Sequence, residues 1–243
     1  MRIHRPILAA TVTVALMVLA TGAAPVAADP PIEDCDIVGT EGDDVIDEIV
    51  GSWPVICALG GNDTIILPPN RGGFRVYAGP GDDTVLGGEV RTGVVFGGEG
   101  HDTLKAYPDQ DKGVEYHGGP GNDVLHGGLG QDALFGGPGT DTVYGYERRD
   151  RLVGGKGSDL VVGGKGDDEM FGGSYDDVLI GGRGHDIIYG NRGKDRLYGN
   201  KGHDRLIASD GMADRLDGGP GVDRGRWDAK DRVRSVERRS RLK

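Results

Sequence analysis

Between Gly118 and Ile207 a single apolar residue returns at every ninth position: Leu125, Leu134, Val143, Leu152, Val161, Met170, Leu179, Ile188, Leu197 and Leu206. With Gly118 as the first position of a nonapeptide these are the eighth, and the register holds for ten units without a break. The first position is always Gly and the sixth always Asp. Positions 7 to 9, as in Val124-Leu125-His126, predict a short strand, with position 8 pointing one way and positions 7 and 9 the other. Positions 1 to 6, of the form GGxGxD, predict a turn, because glycine reaches the positive φ angles that tight turns need. One inward apolar side chain per unit cannot bury a face alone. Stacked units can, and this predicts a solenoid. With successive units on opposite sides, two make one coil of eighteen residues, and the ten units give five coils about 24 Å long at ~4.8 Å per strand. The expected fold class is all-β, a parallel β-solenoid.

Weaker copies flank this block. GTEGDDVID (39–47), AGPGDDTVL (78–86) and GGEGHDTLK (97–105) fit, and ALGGNDTII (58–66) keeps Gly61, Asp63 and Ile65. Breaks are expected at 67–77, around 87–96 and at 106–117, where AYPDQDKGVEYH reads as an exposed loop. Downstream, ASDGMADRLD (208–217) carries one extra residue, and GGPGVDRGR (218–226) puts Gly225 at the inward position, so the apolar file ends there. Residues 29–117 are thus expected to be degenerate repeats with an N-terminal cap. Residues 208–243 are expected to be the last irregular repeats and a basic C-terminal cap or tail.

The first 28 residues are different. Arg2 and Arg5 precede an apolar run from Ile7 to Ala20, and small residues lead to Ala28. This is the pattern of a secretory signal peptide cleaved after Ala28. A membrane anchor is the alternative, but the run is short and lacks a stop-transfer flank. The expected mature chain has no membrane span and is extracellular. Composition narrows its class. There are 47 Gly in 243 residues and only 6% aromatics, too few large side chains for a close-packed globular core. A period of nine excludes collagen, and so strict a period argues against disorder. The formal charge of −11 drops by two more once Arg2 and Arg5 leave, which disfavours nucleic acid and suits hard cations. Cys35 and Cys57 are the only cysteines. In an exported chain they are expected to form a disulfide, the alternative being two thiols set too far apart to pair.

The solenoid places the aspartates in two columns. Asp123, Asp141, Asp159, Asp177 and Asp195 share one; Asp132, Asp150, Asp168, Asp186 and Asp204 share the other. Carboxylates stacked at strand spacing repel by about 0.9 kcal/mol per neighbouring pair even in a water-like dielectric. Without counter-charge the columns oppose folding. Calcium, which takes six to eight oxygens in flexible geometry, would reverse the sign by drawing on the carboxylates and on bare turn carbonyls.

The units GGLGQDALF, GGKGSDLVV and GGRGHDIIY match GGxGxDxUx, and the chain resembles the RTX, or haemolysin-type, calcium-binding repeat proteins. The match is clean over 118–207 and looser over most of 39–226. The opening DCDIVGTEGDDVID…VICALGGNDTII also looks like the start of small exported actinobacterial proteins of this kind. The resemblance implies a parallel β-roll with several Ca²⁺ ions held between a turn and the turn one coil further on. The sixth-position carboxylates would bind them, with Asp83 and Asp102 upstream added to the ten above. The backbone carbonyls of Gly118, Gly121, Gly127, Gly130, Gly136, Gly139, Gly154, Gly157, Gly163, Gly166, Gly181 and Gly184 would complete the shells. GYERRDRLV has Tyr146 and Arg148 where Gly is expected, and Tyr175 replaces Gly in GGSYDDVLI, which puts the sites at turns 145–150 and 172–177 in doubt. Asn191 and Asn200 are milder changes, since Asn tolerates the left-handed region.

No HExxH, GxSxG or Walker loop is present, and the repeat leaves no room for a catalytic domain, so no enzyme is expected. His101, His185 and His203, at the fifth position of units not adjacent in sequence, read as solvated turn residues rather than metal ligands. The ninth position carries Phe135, Val153, Phe171, Tyr189 and Ile207 on one face and His126, Tyr144, Val162, Ile180 and Tyr198 on the other. All are expected to point outward, as ladder packing or as an adhesive surface. From Arg224 to Lys243 there are nine Lys or Arg against three Asp or Glu. Trp227, Val233 and Val236 are candidates to close the last coil, with attachment to an anionic cell wall as a further role. The functional expectation is a secreted calcium-binding protein that folds on Ca²⁺. The alternatives are a calcium-dependent adhesion or polysaccharide-binding module, and a carbohydrate-active enzyme built on a solenoid.

Overall fold

The computed structural model describes residues 30–49, 53–69, 73–87, 93–107, 112–236 and 238–239. The leader at 1–28 lies outside them, as do the middles of the upstream breaks and the end of the basic tail. Among the described residues the only helix is one 3-10 turn, Ile32–Asp34, and no helix is long and apolar enough to cross a membrane.

Consecutive strands alternate between two sheets, one of twelve strands and one of eleven among the described residues. Every pairing is parallel and joins a strand to its equivalent one coil later. In the regular block the register is eighteen residues. Leu125 lies opposite Val143, Val143 opposite Val161, Val161 opposite Leu179, and Leu179 opposite Leu197. On the other sheet Leu134, Leu152, Met170, Ile188 and Leu206 follow one another in the same way. All ten are fully buried. The core is therefore two facing single files of eighth-position side chains, the logic of a β-solenoid.

Between Ala133 and Lys201 the strands are six residues long, not the three expected, while Val124–His126 and Arg205–Ile207 keep to three. Ala133–Pro138 and Leu160–Lys165, for example, run from position 7 through position 3 of the next unit. The Gly-Gly pair belongs to the strand, and the second Gly takes a positive φ within it, as at Gly137 and Gly164. Only positions 4 to 6 form the turn.

The stack begins well before Gly118. Strands pair from Ile37 onward, and Ile56, Ile65, Val76, Val85, Val95, Leu104 and Tyr116 extend the two files. The coil lengthens here: Val45 pairs with Thr64, Val55 with Arg75 and Val94 with Glu115, steps of nineteen, twenty and twenty-one residues. The expected breaks are consequently too wide. Arg75–Pro80 and Val94–Glu99 are strands. The loop at 106–117 ends in a strand, Glu115–His117, with Tyr116 buried and its hydroxyl donating to the Gly87 carbonyl at 2.7 Å. One inward tyrosine anchors the segment that polarity alone marked as loop.

The Cys35–Cys57 disulfide joins the lead-in of the first coil to the second, with Cα atoms 6.0 Å apart. At the far end Gly225 leaves its inward position bare, and Trp227 and Val236 close around the spot a Cβ would occupy. Trp227 and Val233 pack on the core.

The ninth-position side chains form ladders on the outer faces. Tyr77, Phe96, His117 and Phe135 stack in series at centroid distances of 5.1, 4.8 and 4.7 Å. Val153 departs from the outward expectation and is buried, because the larger Phe135 and Phe171 lie opposite it on the two neighbouring strands.

Candidate metal centre

The sixth-position aspartates sit in the turns that join one sheet to the other, and the eighteen-residue coil stacks them. One column runs unbroken from Asp44 to Asp231. In it the backbone N–H of each aspartate donates to Oδ1 of the aspartate one coil later, at 2.7–3.0 Å. The other column starts at Asp132, whose Oδ1 accepts from Val114 N–H, and runs through Asp150, Asp168, Asp186 and Asp204 to Asp223 by the same bond. The expected division of the ten aspartates into two columns is what the structure shows, with Asp83 and Asp102 in the first.

From Asp63 to Asp223 the column carboxylates are buried, and one oxygen of each is accounted for. The other is not. Oδ2 of Asp63, Asp83, Asp102, Asp123, Asp141, Asp150, Asp159, Asp168, Asp177, Asp186, Asp195, Asp204, Asp214 and Asp223 is buried without a hydrogen-bond partner. A buried, unpartnered carboxylate oxygen is costly, and here it recurs coil after coil. The aspartates respond as such groups must. Burial, reinforced by neighbouring carboxylates in the column, raises Asp123 to about 8 and Asp150 and Asp177 to about 9. Asp102, Asp159, Asp186 and Asp195 are raised to about 7.

The first-position glycines show where these oxygens point. A Cβ on Gly136 would lie 2.5 Å from Oδ2 of Asp141 and 2.6 Å from the carbonyl oxygen of Gly154, one coil on. The same pair of oxygens, an aspartate Oδ2 and a first-position carbonyl from the next coil, flanks Gly97, Gly118, Gly145, Gly154, Gly163, Gly172 and Gly181. Carboxylate and main-chain oxygens converge on a cradle that any side chain would fill. Of the expected turn carbonyls, those of Gly118, Gly136, Gly154, Gly163 and Gly181 lie at such cradles. The fourth-position carbonyls of Gly121, Gly139, Gly166 and Gly184 instead abut the fourth-position glycine of the next coil. There the next coil carries Arg148 and Tyr175 opposite Gly130 and Gly157.

Asp132 differs from the rest. Its Oδ2 accepts from Gly128 N–H at 2.7 Å, so both oxygens are satisfied within the protein. Its turn, from Gly127 through Gly130, lacks the positive φ of the others. The two turns in doubt keep their geometry: Tyr146, Arg148 and Tyr175 adopt φ of 79°, 69° and 80°, and Asp150 and Asp177 keep the same bonds and the same free oxygen. Asp63, Asp214 and Asp223 are aspartates of this kind that the nonapeptide count leaves aside. Their signal was the GxD or AD immediately before a short strand.

His101, His185 and His203 are exposed turn residues, as expected, but they are not isolated from one another. Units not adjacent in sequence are neighbours in the coil stack, so the rings of His185 and His203 lie 5.0 Å apart. Nδ1 of each of the three accepts a backbone N–H from one coil on, from Asn122, His203 and Val222. They belong to a second, outer ladder at position 5, shared with Asp82, Asn122 and Asp167.

Among the described residues no three carboxylate, imidazole or thiol groups converge on one point. A cation here would draw on main-chain oxygens as well as carboxylates. That is an all-oxygen donor set of flexible geometry, which fits calcium and not the nitrogen and sulfur chemistry of zinc. No curated protein matches the chain. The family model of the RTX calcium-binding nonapeptide repeat matches residues 75–89, 94–112, 116–143, 144–174 and 171–206, just over half of the sequence and the stretch that holds most of both columns. The chain therefore belongs to the family of RTX calcium-binding nonapeptide repeat proteins.

Proposed function

We propose that the chain is an exported, non-enzymatic calcium-binding protein whose β-roll folds when calcium is bound along the aspartate columns. The observation that carries this is the unpartnered Oδ2 repeated in successive coils, most of them beside a carbonyl of the next coil. Bound calcium supplies the positive charge and the oxygen affinity that these groups lack. Asp123, Asp141, Asp150, Asp159, Asp168, Asp177, Asp186, Asp195 and Asp204, with Asp83 and Asp102 upstream, would hold it. The first-position carbonyls keep the shell within the backbone, and Oδ1 ties each turn to its neighbour. Because each turn borders the next, filling one site orders half of another, and binding energy becomes folding energy. Export rests on the leader at 1–28 and fits sites of extracellular affinity, about 10⁻⁴–10⁻³ M. The non-enzymatic reading rests on the buried carboxylates, which all belong to the columns among the described residues.

The test is far-UV circular dichroism of residues 29–243 during a Ca²⁺ titration from a chelated start, with Mg²⁺ as control. A cooperative gain of β signal with Ca²⁺ alone is expected. A chain already folded and indifferent to calcium would overturn the proposal.

A further inference from the structure

One outer edge of the smaller sheet does not fit the acidic character of the molecule. A groove of about 960 Å³ runs along it, lined by Lys105, His126, Tyr146, Lys165, Arg183 and Lys201 among others. Lys165, Arg183 and Lys201 are third-position residues directly opposite one another on successive strands, so their charges repeat at about 4.8 Å. Like charges in that arrangement repel. Glu147, one strand earlier, pairs with Lys165. No carboxylate among the described residues lies within ion-pair distance of Arg183 or Lys201. Beside the row, Gly164 and Gly182 give a floor without side chains, because a Cβ on either would run into the backbone of the preceding coil.

Tyr146 is the second, independent observation. It stands where the repeat has glycine, at φ 79°, a conformation that disfavours a side chain. Packing does not repay it, since Tyr146 remains 45% exposed. Its ring stacks with His126 and Tyr144 at 6.0 Å from each, and its hydroxyl is held 2.7 Å from Nδ1 of His126. An exposed aromatic fixed within the groove, one coil before the cation row, is a platform for an apolar sugar face, and a row of cations at constant spacing suits a chain of evenly spaced anions.

We propose that this groove binds a linear anionic polysaccharide, with the acidic groups of successive sugars ranged along Lys165, Arg183 and Lys201 and one sugar ring laid against Tyr146. The row exists only while the coils are stacked in register, so the site rests on the calcium-held fold proposed above and is expected to be lost with it.

The test uses residues 29–243 in excess Ca²⁺, with circular dichroism confirming the fold of each sample. The probe is a short fluorescent chondroitin sulfate oligosaccharide, which carries an anionic group on each sugar, followed by anisotropy. A neutral chitin oligosaccharide and poly-glutamate serve as comparisons. The sulfated glycan is expected to bind, more weakly as salt rises, and better than either comparison. Arg183→Ala with Lys201→Ala should weaken it about tenfold or more. Tyr146→Gly restores the repeat glycine and should leave the fold at least as stable while weakening the glycan about tenfold. Equal binding of the neutral glycan, poly-glutamate binding as tight as the glycan's, or unchanged affinity in these variants while the fold is intact would each overturn the proposal. A chain that fails to fold in calcium would instead overturn the function proposed above.

Discussion

Gly42 and Gly157 hold the same fourth position of their units but different surroundings. A Cβ on Gly157 would overlap the carbonyl oxygen of Gly139 in the preceding coil, whereas a Cβ on Gly42, in the first coil, meets nothing within 4 Å. Gly157→Ala is therefore expected to cost more than about 3 kcal/mol, and Gly42→Ala to stay within about 0.5 kcal/mol, as read from urea midpoints in calcium. The requirement for glycine at Gly157 comes from both the preceding coil and its own φ of 136°, and neither applies at Gly42. The same lesson applies to the aspartates. Their period was plain in the sequence, and so were the columns. What sequence could not show was the division of labour within one carboxylate, Oδ1 to a backbone N–H and Oδ2 to the cradle. Nor could it single out Asp132, which looks like every other sixth-position residue but is satisfied by Gly128.

At the scale of the coil, the regular block was legible because eighteen residues per turn leave nothing over. Upstream, the extra residues all fall on one side of the solenoid, after Ile46, Leu67, Gly87 and Lys105. On that side Phe74 and Val114 stand immediately before the strand where an aspartate would be. The opposite side keeps Asp44, Asp63, Asp83 and Asp102 in line. A nonapeptide count sees both sides as degenerate, although only one is. The first coil also has the least core beneath it: Ile37 and Ile46 are only partly buried. The Cys35–Cys57 bridge spans 22 residues here, a closure worth about 3 kcal/mol. Reduction is expected to speed amide exchange over residues 37–57 and leave 118–207 in calcium unchanged, as read by hydrogen–deuterium exchange.

The whole molecule carries two lines of raised aspartates, and this fixes how it responds to pH. Folded-state values of about 6 to about 9, as at Asp141 and Asp150, lie above the ordinary carboxyl value near 3.9. Without metal, the folded chain binds more protons than the unfolded one between those limits. Its stability is greatest in acid and falls as pH rises through about 6 to about 9. The metal-free chain should show more β signal in far-UV circular dichroism at pH 5 than at pH 8; more signal at pH 8 would contradict the burial of these groups. With calcium the order inverts, because protons and calcium compete for the same oxygens.

The parallel stacking has a mechanical consequence as well. The hydrogen bonds between coils run along the axis of the stack, so tension between the two ends loads them one coil at a time rather than all together. The molecule should extend in a staircase. Each coil of the regular block would release its eighteen residues, about 60 Å of slack, and the upstream coils of nineteen to twenty-one residues would give slightly longer steps. Single-molecule pulling would read these increments directly. The rupture force should climb as the calcium concentration rises while the step length stays the same, so the ions would set the stiffness of a ruler whose graduations are written in the repeat.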